Sequence, residues 1–295
     1  MKTSVVLHVI TTIERGGAEK QLLTLIDEQI KRNYEVHVVA LKGLPELRSS
    51  FVKLGAIVHD DFLNRSFILN LTQLHLLLSK NPEWIVHAHL PRSELVAWLS
   101  LIRLNNVFIV SRHNAEPFSR WFPSLLSRRV TKRASYVIAI SNVVKHFLEE
   151  NSEVQSATKI VVIHYGYNAS VTSSPVKEKL IYDDELRLIT IGRLVPQKNY
   201  PFLFNSVADL NKIGVNFRLL IVGAGYLETY LRQLTYELGI EKKVEWLGRR
   251  EDIRNLLDNQ DALIMASAYE GFGLVLLEGM QASIPIFAPK RSSFP

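Results

Sequence analysis

Two carboxylates, Glu270 and Glu278, flank a glycine-rich turn, Gly271-Phe272-Gly273, and an apolar run that starts at Leu274. A loop over 271–273 followed by a helix over 274–282 leaves Glu270 in the loop and puts Glu278 one to two turns along the helix. The loop amides and the positive end of the helix dipole then face the same space as Glu270. Such a turn suits a sugar nucleotide, with backbone N–H groups taking the diphosphate and an acidic side chain accepting from ribose hydroxyls. The plain alternative is a surface loop before a core-facing helix, with Glu278 solvated.

Four further groups are expected at strand ends. Gly192-Arg193 and Lys198-Asn199 bracket a turn that leads into a helix, where a guanidinium and an ammonium could neutralise a diphosphate as its bond to a sugar breaks. Two solvated loop cations are the alternative. Gly223 and Gly225, in Val222-Gly223-Ala224-Gly225, read as a turn of close backbone approach, and Trp246 or Tyr269 could stack a nucleobase. Gly16-Gly17 follows the opening strand and precedes a helix, but lacks the spacing of a dinucleotide fingerprint. His87 and His89 share one face of a strand. Nothing near them in sequence completes a metal site, so a single histidine bonding a sugar hydroxyl or the acceptor is the functional reading, and a satisfied structural histidine the other. Arg112-His113-Asn114 carries the same ambiguity.

These groups need strands and helices to hold them. The 295 residues suffice for one large domain or two ordinary ones, and 47% hydrophobic residues exclude a disordered chain. Short β-branched runs alternate with amphipathic segments, which indicates α/β architecture with parallel sheets covered by helices. Strands are expected at 4–10, 35–41, 56–59, 84–88, 107–111, 136–140 and 160–163. Helices are expected at 18–33, 69–78, 93–104 and 142–149. A break over 166–184 reads as a linker. A second series follows, with strands at 187–191, 218–222, 244–247, 262–265 and 284–287, and helices at 200–213, 228–238 and 253–260. The expected organisation is one α/β domain over 1–166, a linker over 167–185 and a second α/β domain over 186–295, which the resemblance given below implies are the acceptor-side and nucleotide-sugar domains. Two such domains facing each other would place ligands at the carboxyl ends of their strands.

The absence of cysteine excludes disulfides and thiolate metal sites and fits a reducing cytosol. A formal charge of +6 suggests an anionic partner. The apolar stretch 95–110 is broken by Arg103, Asn105 and Asn106, so no membrane span is expected. A basic and aromatic stretch from Arg120-Trp121-Phe122 through Arg128-Arg129 to Lys132-Arg133 suits an anionic membrane surface, or else a solvated helix face. The cations are too scattered for a nucleic-acid reader.

Taken in order, Gly16-Gly17-Ala18-Glu19, His87-Ala88-His89, Ser141, Val162-Ile163 to Gly166, Gly192-Arg193 with Lys198-Asn199, Val222-Gly223-Ala224-Gly225, and Glu270 with Glu278 resemble the family-4 retaining glycosyltransferases of the GT-B fold. The resemblance implies two facing Rossmann-like domains. It implies a nucleoside diphosphate sugar held by the second, with Arg193 and Lys198 on the diphosphate, Glu278 on the ribose and Glu270 against the donor sugar. It further implies His89 near the reacting sugar, Gly16 in a loop closing over the phosphates, and no bound metal or cofactor. The expected reaction moves a sugar with retention onto a glycan or lipid-linked acceptor in polysaccharide, lipopolysaccharide or glycolipid assembly. Such a protein would be cytoplasmic or peripheral on the cytoplasmic face of the inner membrane. A degenerate relative serving as a binding or scaffold subunit is the alternative. The linker turn His164-Tyr165-Gly166-Tyr167-Asn168 departs from the family's usual Pro-Asn-Gly-Val-Asp, and Gln281-Ala282-Ser283 from its usual Ala-x-Gly. Relatives also continue beyond the point matching Pro295, so the second domain is expected to be incomplete.

Overall fold

The computed structural model describes residues 4–115, 123–154, 159–167 and 185–290. It divides into two compact units, 1–168 and 169–295. Of the linker expected over 167–185, residues 168–184 lie outside the described residues.

The first unit runs β1 (Val5–Ile10), α1 (Gly17–Lys31), β2 (Glu35–Ala40), α2 (Arg48–Leu54), β3 (Ile57–His59), α3 (Phe67–Ser79), β4 (Ile85–His89), α4 (Pro91–Ser100), β5 (Phe108–Arg112), α5 (Pro123–Arg133), β6 (Tyr136–Ala139), α6 (Asn142–Glu150) and β7 (Ile160–Val162). Its strands form one parallel sheet in the order β3-β2-β1-β4-β5-β6-β7. Runs such as Val5-Val6-Leu7 and Val38-Val39-Ala40 are buried almost without interruption, as a sheet covered on both faces requires. On one face Leu7, Val9, Val86, Ala88 and Val110 pack with Leu74 and Leu78 of α3 and Val96 of α4. On the other, Ile10, Val38 and Ala40 pack with Leu22 and Ile26 of α1. The sequence pattern missed α2, a short helix whose clearest mark is Gly55 just beyond it at φ 101.

The second unit runs β8 (Leu186–Ile191), α7 (Tyr200–Lys212), β9 (Phe217–Val222), α8 (Glu228–Glu237), β10 (Val244–Gly248), α9 (Ile253–Leu257), β11 (Ala262–Ile264), α10 (Leu274–Gln281) and β12 (Ile286–Phe287). Its sheet is parallel in the order β10-β9-β8-β11-β12. Leu188, Leu219 and Ile221 face Leu203 and Phe204 of α7 and Leu231 of α8, while Ile189, Val222 and Leu263 face Leu257 and Val275.

Both sheets reverse winding direction beside their first strand, at β1/β4 and at β8/β11. Open α/β sheets open a crevice beyond the carboxyl ends of the strands at such a reversal. His87, His89, Gly192, Lys198 and Glu270 sit on or just beyond the strands that flank these two points.

Candidate active site

In the second unit the segment 192–199 between β8 and α7 meets the segment that runs from β11 into α10. The Lys198 ammonium pairs with the Glu270 carboxylate, and their side chains are only 16% and 9% exposed. Ser267 donates to the same Glu270 oxygen at 2.8 Å. Gln197 ties the two loops together: its side chain donates to the Tyr269 carbonyl at 3.0 Å, and its carbonyl accepts from the Ala268 amide at 2.8 Å. The stem of Lys198 lies on Gly192, where an added Cβ would come 3.1 Å from Lys198 Cε. Gln197 and Ser267 escaped the sequence reading because neither type is distinctive in a loop, and only the fold brings them to Glu270.

Gly273 takes φ 80, ψ 57 and turns the chain into α10, with Leu274 as the first helical residue. Gly271 and Gly273 are buried, while Phe272 and Leu274 are half-buried. Glu278 is half-buried within α10, as the spacing predicts. Arg193 is exposed, and no hydrogen bond or ion pair of its side chain is recorded among the described residues. The structure therefore joins Lys198 to Glu270 directly and leaves Arg193 open to an anion.

The close approach expected at Gly223 and Gly225 is to protein. An added Cβ at Gly223 would lie 1.9 Å from the Gly192 carbonyl oxygen, and one at Gly225 would lie 2.4 Å from that of Leu194. Gly223 also has φ 145. Backbone bonds from Gly192 to Val222 and from Leu194 to Ala224 close this seam at 2.9 and 3.1 Å. These glycines thus set the position of the Arg193 turn. Trp246 stacks under Arg232, 4.7 Å from its ring centroid, and edge-on to Phe204. It lines a cavity of about 520 Å³ with Phe217, Arg218 and Lys243 at the amino ends of β9 and β10, the opposite end of the sheet from Lys198 and Glu270. The half-buried Tyr269 remains beside Glu270.

In the first unit Gly16 precedes α1, which begins at Gly17 rather than Ala18. The Glu19 carboxylate covers that turn: an added Cβ on Gly16 would come 2.3 Å from Glu19 Oε2, and Thr12 donates to Glu19 Oε1 at 2.7 Å. The first turn of α1 thus already faces an anion of its own chain.

His89 ends β4 but is only 2% exposed. His8 Nδ1 lies 3.0 Å from His89 Nε2, and His89 Nδ1 lies 3.1 Å from His113 Nε2. Both ring nitrogens of His89 are therefore engaged by other imidazoles, which corrects the expectation of a histidine free to meet a sugar. His87 does share its face, with ring centroids 4.1 Å apart, and bonds to Ser111 at 2.8 Å. The third imidazole, absent from the local sequence, comes from β1, where His8 pairs in register with His87. Candidate ligand nitrogens of His8, His87 and His89 all lie within 4.8 Å of one another, so the fold supplies the third histidine that the local sequence lacks. Burial lowers the pKa of His8 to about 4 and that of His113, which also faces Arg112, to about 4; His87 and His89 fall well below the usual value for the same reason. Between His89 and Pro91, Leu90 adopts φ 74, ψ 147, a strained turn that starts α4 at once.

Arg112 proves structural. Its guanidinium lies 2.9 Å from Glu94 and 2.8 Å from Glu153, and donates to Ser127 at 2.8 Å, all of them buried. Burial raises the Glu94 pKa to about 7 in spite of Arg112. Of the basic stretch, Trp121 lies outside the described residues. Arg128, Arg129 and Lys132 are exposed on α5, while Arg133 donates to the carbonyls of Leu104 and Asn106. No helix among the described residues is long and apolar enough to cross a membrane.

Comparison with known proteins identifies the family and the fold. Residues 15–171 match the model described as Glycosyltransferase Family 4, and residues 174–295 that described as Glycosyl transferases group 1. An uncharacterized glycosyltransferase of Methanocaldococcus jannaschii is 34% identical over 108 residues, 36% of this chain and 27% of that protein. An N-acetyl-D-galactosaminyltransferase of Campylobacter jejuni, named for a PP-undecaprenol-linked glycan, is 25% identical over 288 residues, 92% of this chain and 75% of the relative. The crystal structure of Anabaena HepE in complex with UDP and glucose superposes with a TM-score of 0.80 at 20% identity, covering 98% of this chain and 82% of HepE. In sequence along both units and in the fold of each, the chain belongs to the group 1, family 4 glycosyltransferases with the GT-B fold.

Proposed function

We propose that this protein transfers a glycosyl residue from a nucleoside diphosphate sugar to a hydroxyl acceptor with retention at the anomeric carbon. The observation that carries the reading is the β8/β11 reversal of the second unit, where Lys198, Glu270 and the start of α10 meet beside the exposed Arg193. Arg193 and Lys198 would hold the diphosphate and offset the charge that builds on it as it leaves. The amides of Gly271 to Leu274 add N–H donors at a helix start. Glu278 would accept from the ribose, and Glu270, freed in part from Lys198 by the incoming phosphate, from the donor sugar.

In the reaction the anomeric carbon–phosphate oxygen bond breaks and a bond to the acceptor oxygen forms on the same face. The acceptor proton passes to the departing phosphate oxygen, so the chain need supply no nucleophile of its own. Its work is positioning and charge stabilisation, and the reading assigns no step to a metal or cofactor. The UDP complex of the Anabaena relative supports a uridine donor, and the lipid-linked glycan in the name of the Campylobacter relative supports an acceptor of that kind in polysaccharide or glycolipid assembly. The exposed Arg128, Arg129 and Lys132 on α5 would suit the anionic membrane surface where such acceptors reside.

The test is a thermal-shift screen of nucleoside diphosphate sugars, followed by product analysis with lipid-linked acceptors. A ligand bound to the folded chain raises its melting temperature. Transfer by the wild type and its loss in Arg193→Ala are expected. Unchanged transfer in Arg193→Ala, or donor binding without transfer to any acceptor, would defeat the proposal, the latter in favour of a binding subunit.

A further inference from the structure

Gln29, well down α1, belongs to none of the groups read from the sequence, yet it ends a line of side chains, buried at its three histidines and half-buried at its ends, that runs from β1 through β4 and the end of β5 to a residue just beyond β7. Gln29 Oε1 lies 2.8 Å from His8 Nε2. His8 Nδ1 is 3.0 Å from His89 Nε2, and His89 Nδ1 is 3.1 Å from His113 Nε2. His113 Nδ1 in turn bonds to the Tyr165 hydroxyl, just beyond β7.

A neutral imidazole has one N–H and one lone pair, so whatever one nitrogen does decides the role of the other. The line consequently has two self-consistent proton patterns. With the Gln29 oxygen facing His8, each histidine is protonated on Nε2. His8 donates to Gln29, His89 to His8, His113 to His89, and Tyr165 to His113. With the Gln29 amide nitrogen facing His8, every link reverses and each histidine is protonated on Nδ1. Burial keeps the three imidazoles neutral, as this requires. Burial and the nearby Glu19 carboxylate likewise keep the Tyr165 phenol protonated. The structure has the oxygen inward.

We propose that Gln29 is a positioning residue that sets the tautomer of His113 through His8 and His89, holding His113 Nδ1 as a hydrogen-bond acceptor for a hydroxyl group. That hydroxyl is the one on Tyr165 in this structure. On the reading of the function given above, a substrate hydroxyl reaching His113 would compete with Tyr165 for the same lone pair. The tautomer pattern itself needs no substrate.

The experiment is long-range ¹H–¹⁵N correlation NMR on the full chain with ¹⁵N-labelled histidine, without donor or acceptor, so a failure to transfer sugar leaves it unaffected. The wild type should show His8, His89 and His113 all protonated on Nε2. Gln29→Glu, which can only accept, should preserve the pattern. Gln29→Lys, which can only donate, should move the proton of His113 to Nδ1. A wild type with Nδ1–H at any of the three overturns the proposal, and this holds even should a variant fail to fold. So does a folded Gln29→Lys protein whose His113 tautomer is unmoved. Metal analysis finding one equivalent of ion bound to these imidazoles would also overturn it, because a metal on His89 Nε2 forces the opposite tautomer.

Discussion

The segments after β4 of the first sheet and after β8 of the second both carry polar and charged residues, with different access to solvent. In the first unit β4 ends at His89 and α4 begins at Pro91, so a single residue joins strand to helix. At that strand end no loop projects outward. His8, His87 and His89 are buried together, and Arg112 is buried against Glu94 and Glu153. In the second unit residues 192–199 intervene between β8 and α7, long enough to carry Arg193 into solvent and bring Lys198 back over Gly192 to Glu270. At these two strand ends connection length goes with access: His89, one residue from a helix, is enclosed, and Arg193, in a longer connection, is exposed.

The sharpest way to break this comparison is to remove one cation from each side. Arg112→Met would leave Glu94 and Glu153 buried without their partner. A loss of about 3–5 kcal/mol is expected, lowering the unfolding midpoint on the order of 10 °C. An unshifted midpoint in a thermal melt would show that the triad is not a closed structural unit. Arg193→Ala should do the reverse. Its melt should stay within about 0.5 kcal/mol of wild type, because the side chain is exposed, while kcat/KM for transfer drops roughly 100- to 1000-fold. Equal losses of stability and activity would remove the distinction between the two regions.

The seam that supports Arg193 comes next in size. Gly223→Ala forces a Cβ against the Gly192 carbonyl at a φ of 145. A destabilisation of at least about 2 kcal/mol by chemical denaturation is expected, with activity falling alongside it.

A smaller and broader effect is expected from acid. The folded pKa of about 4 for His8 and for His113 lies below the ordinary 6.5. Such groups contribute stability above pH 6.5 that fades as pH falls toward 4, because the unfolded chain then binds more protons. Glu94 acts the other way. Its folded value of about 7 exceeds 4.5, so it favours the fold increasingly as pH drops across that interval. The buried imidazoles outnumber it, and melts from pH 7 to 4 should show a net loss. A flat profile would mean that the histidines are not held neutral.

Much of this was legible without coordinates. Strands such as β1, β2 and β9 are continuous apolar runs that only a covered parallel sheet satisfies, and Gly271-Phe272-Gly273 before Leu274 announces a loop and helix start. The pairing of Glu270 with Lys198 was not legible, since they lie far apart along the chain and meet only because β11 is laid beside β8. His8 escaped notice for the same reason: in its own strand it is one polar residue among aliphatics, and register with His87 gives it partners. Gly223 and Gly225 were expected to let backbone approach a bound nucleotide sugar, whereas in the fold their close approach is to the backbone of Gly192 and Leu194.

Local chemistry along the chain, its periodicity, its turn residues and its order of motifs, sufficed to specify two α/β halves and to nominate Arg193, Lys198, Glu270 and Glu278. Tertiary structure decided which polar groups are enclosed and which face water, because exposure depends on strand order and connection geometry. An imidazole at the end of a strand reads the same in sequence whether it meets solvent or three other buried side chains.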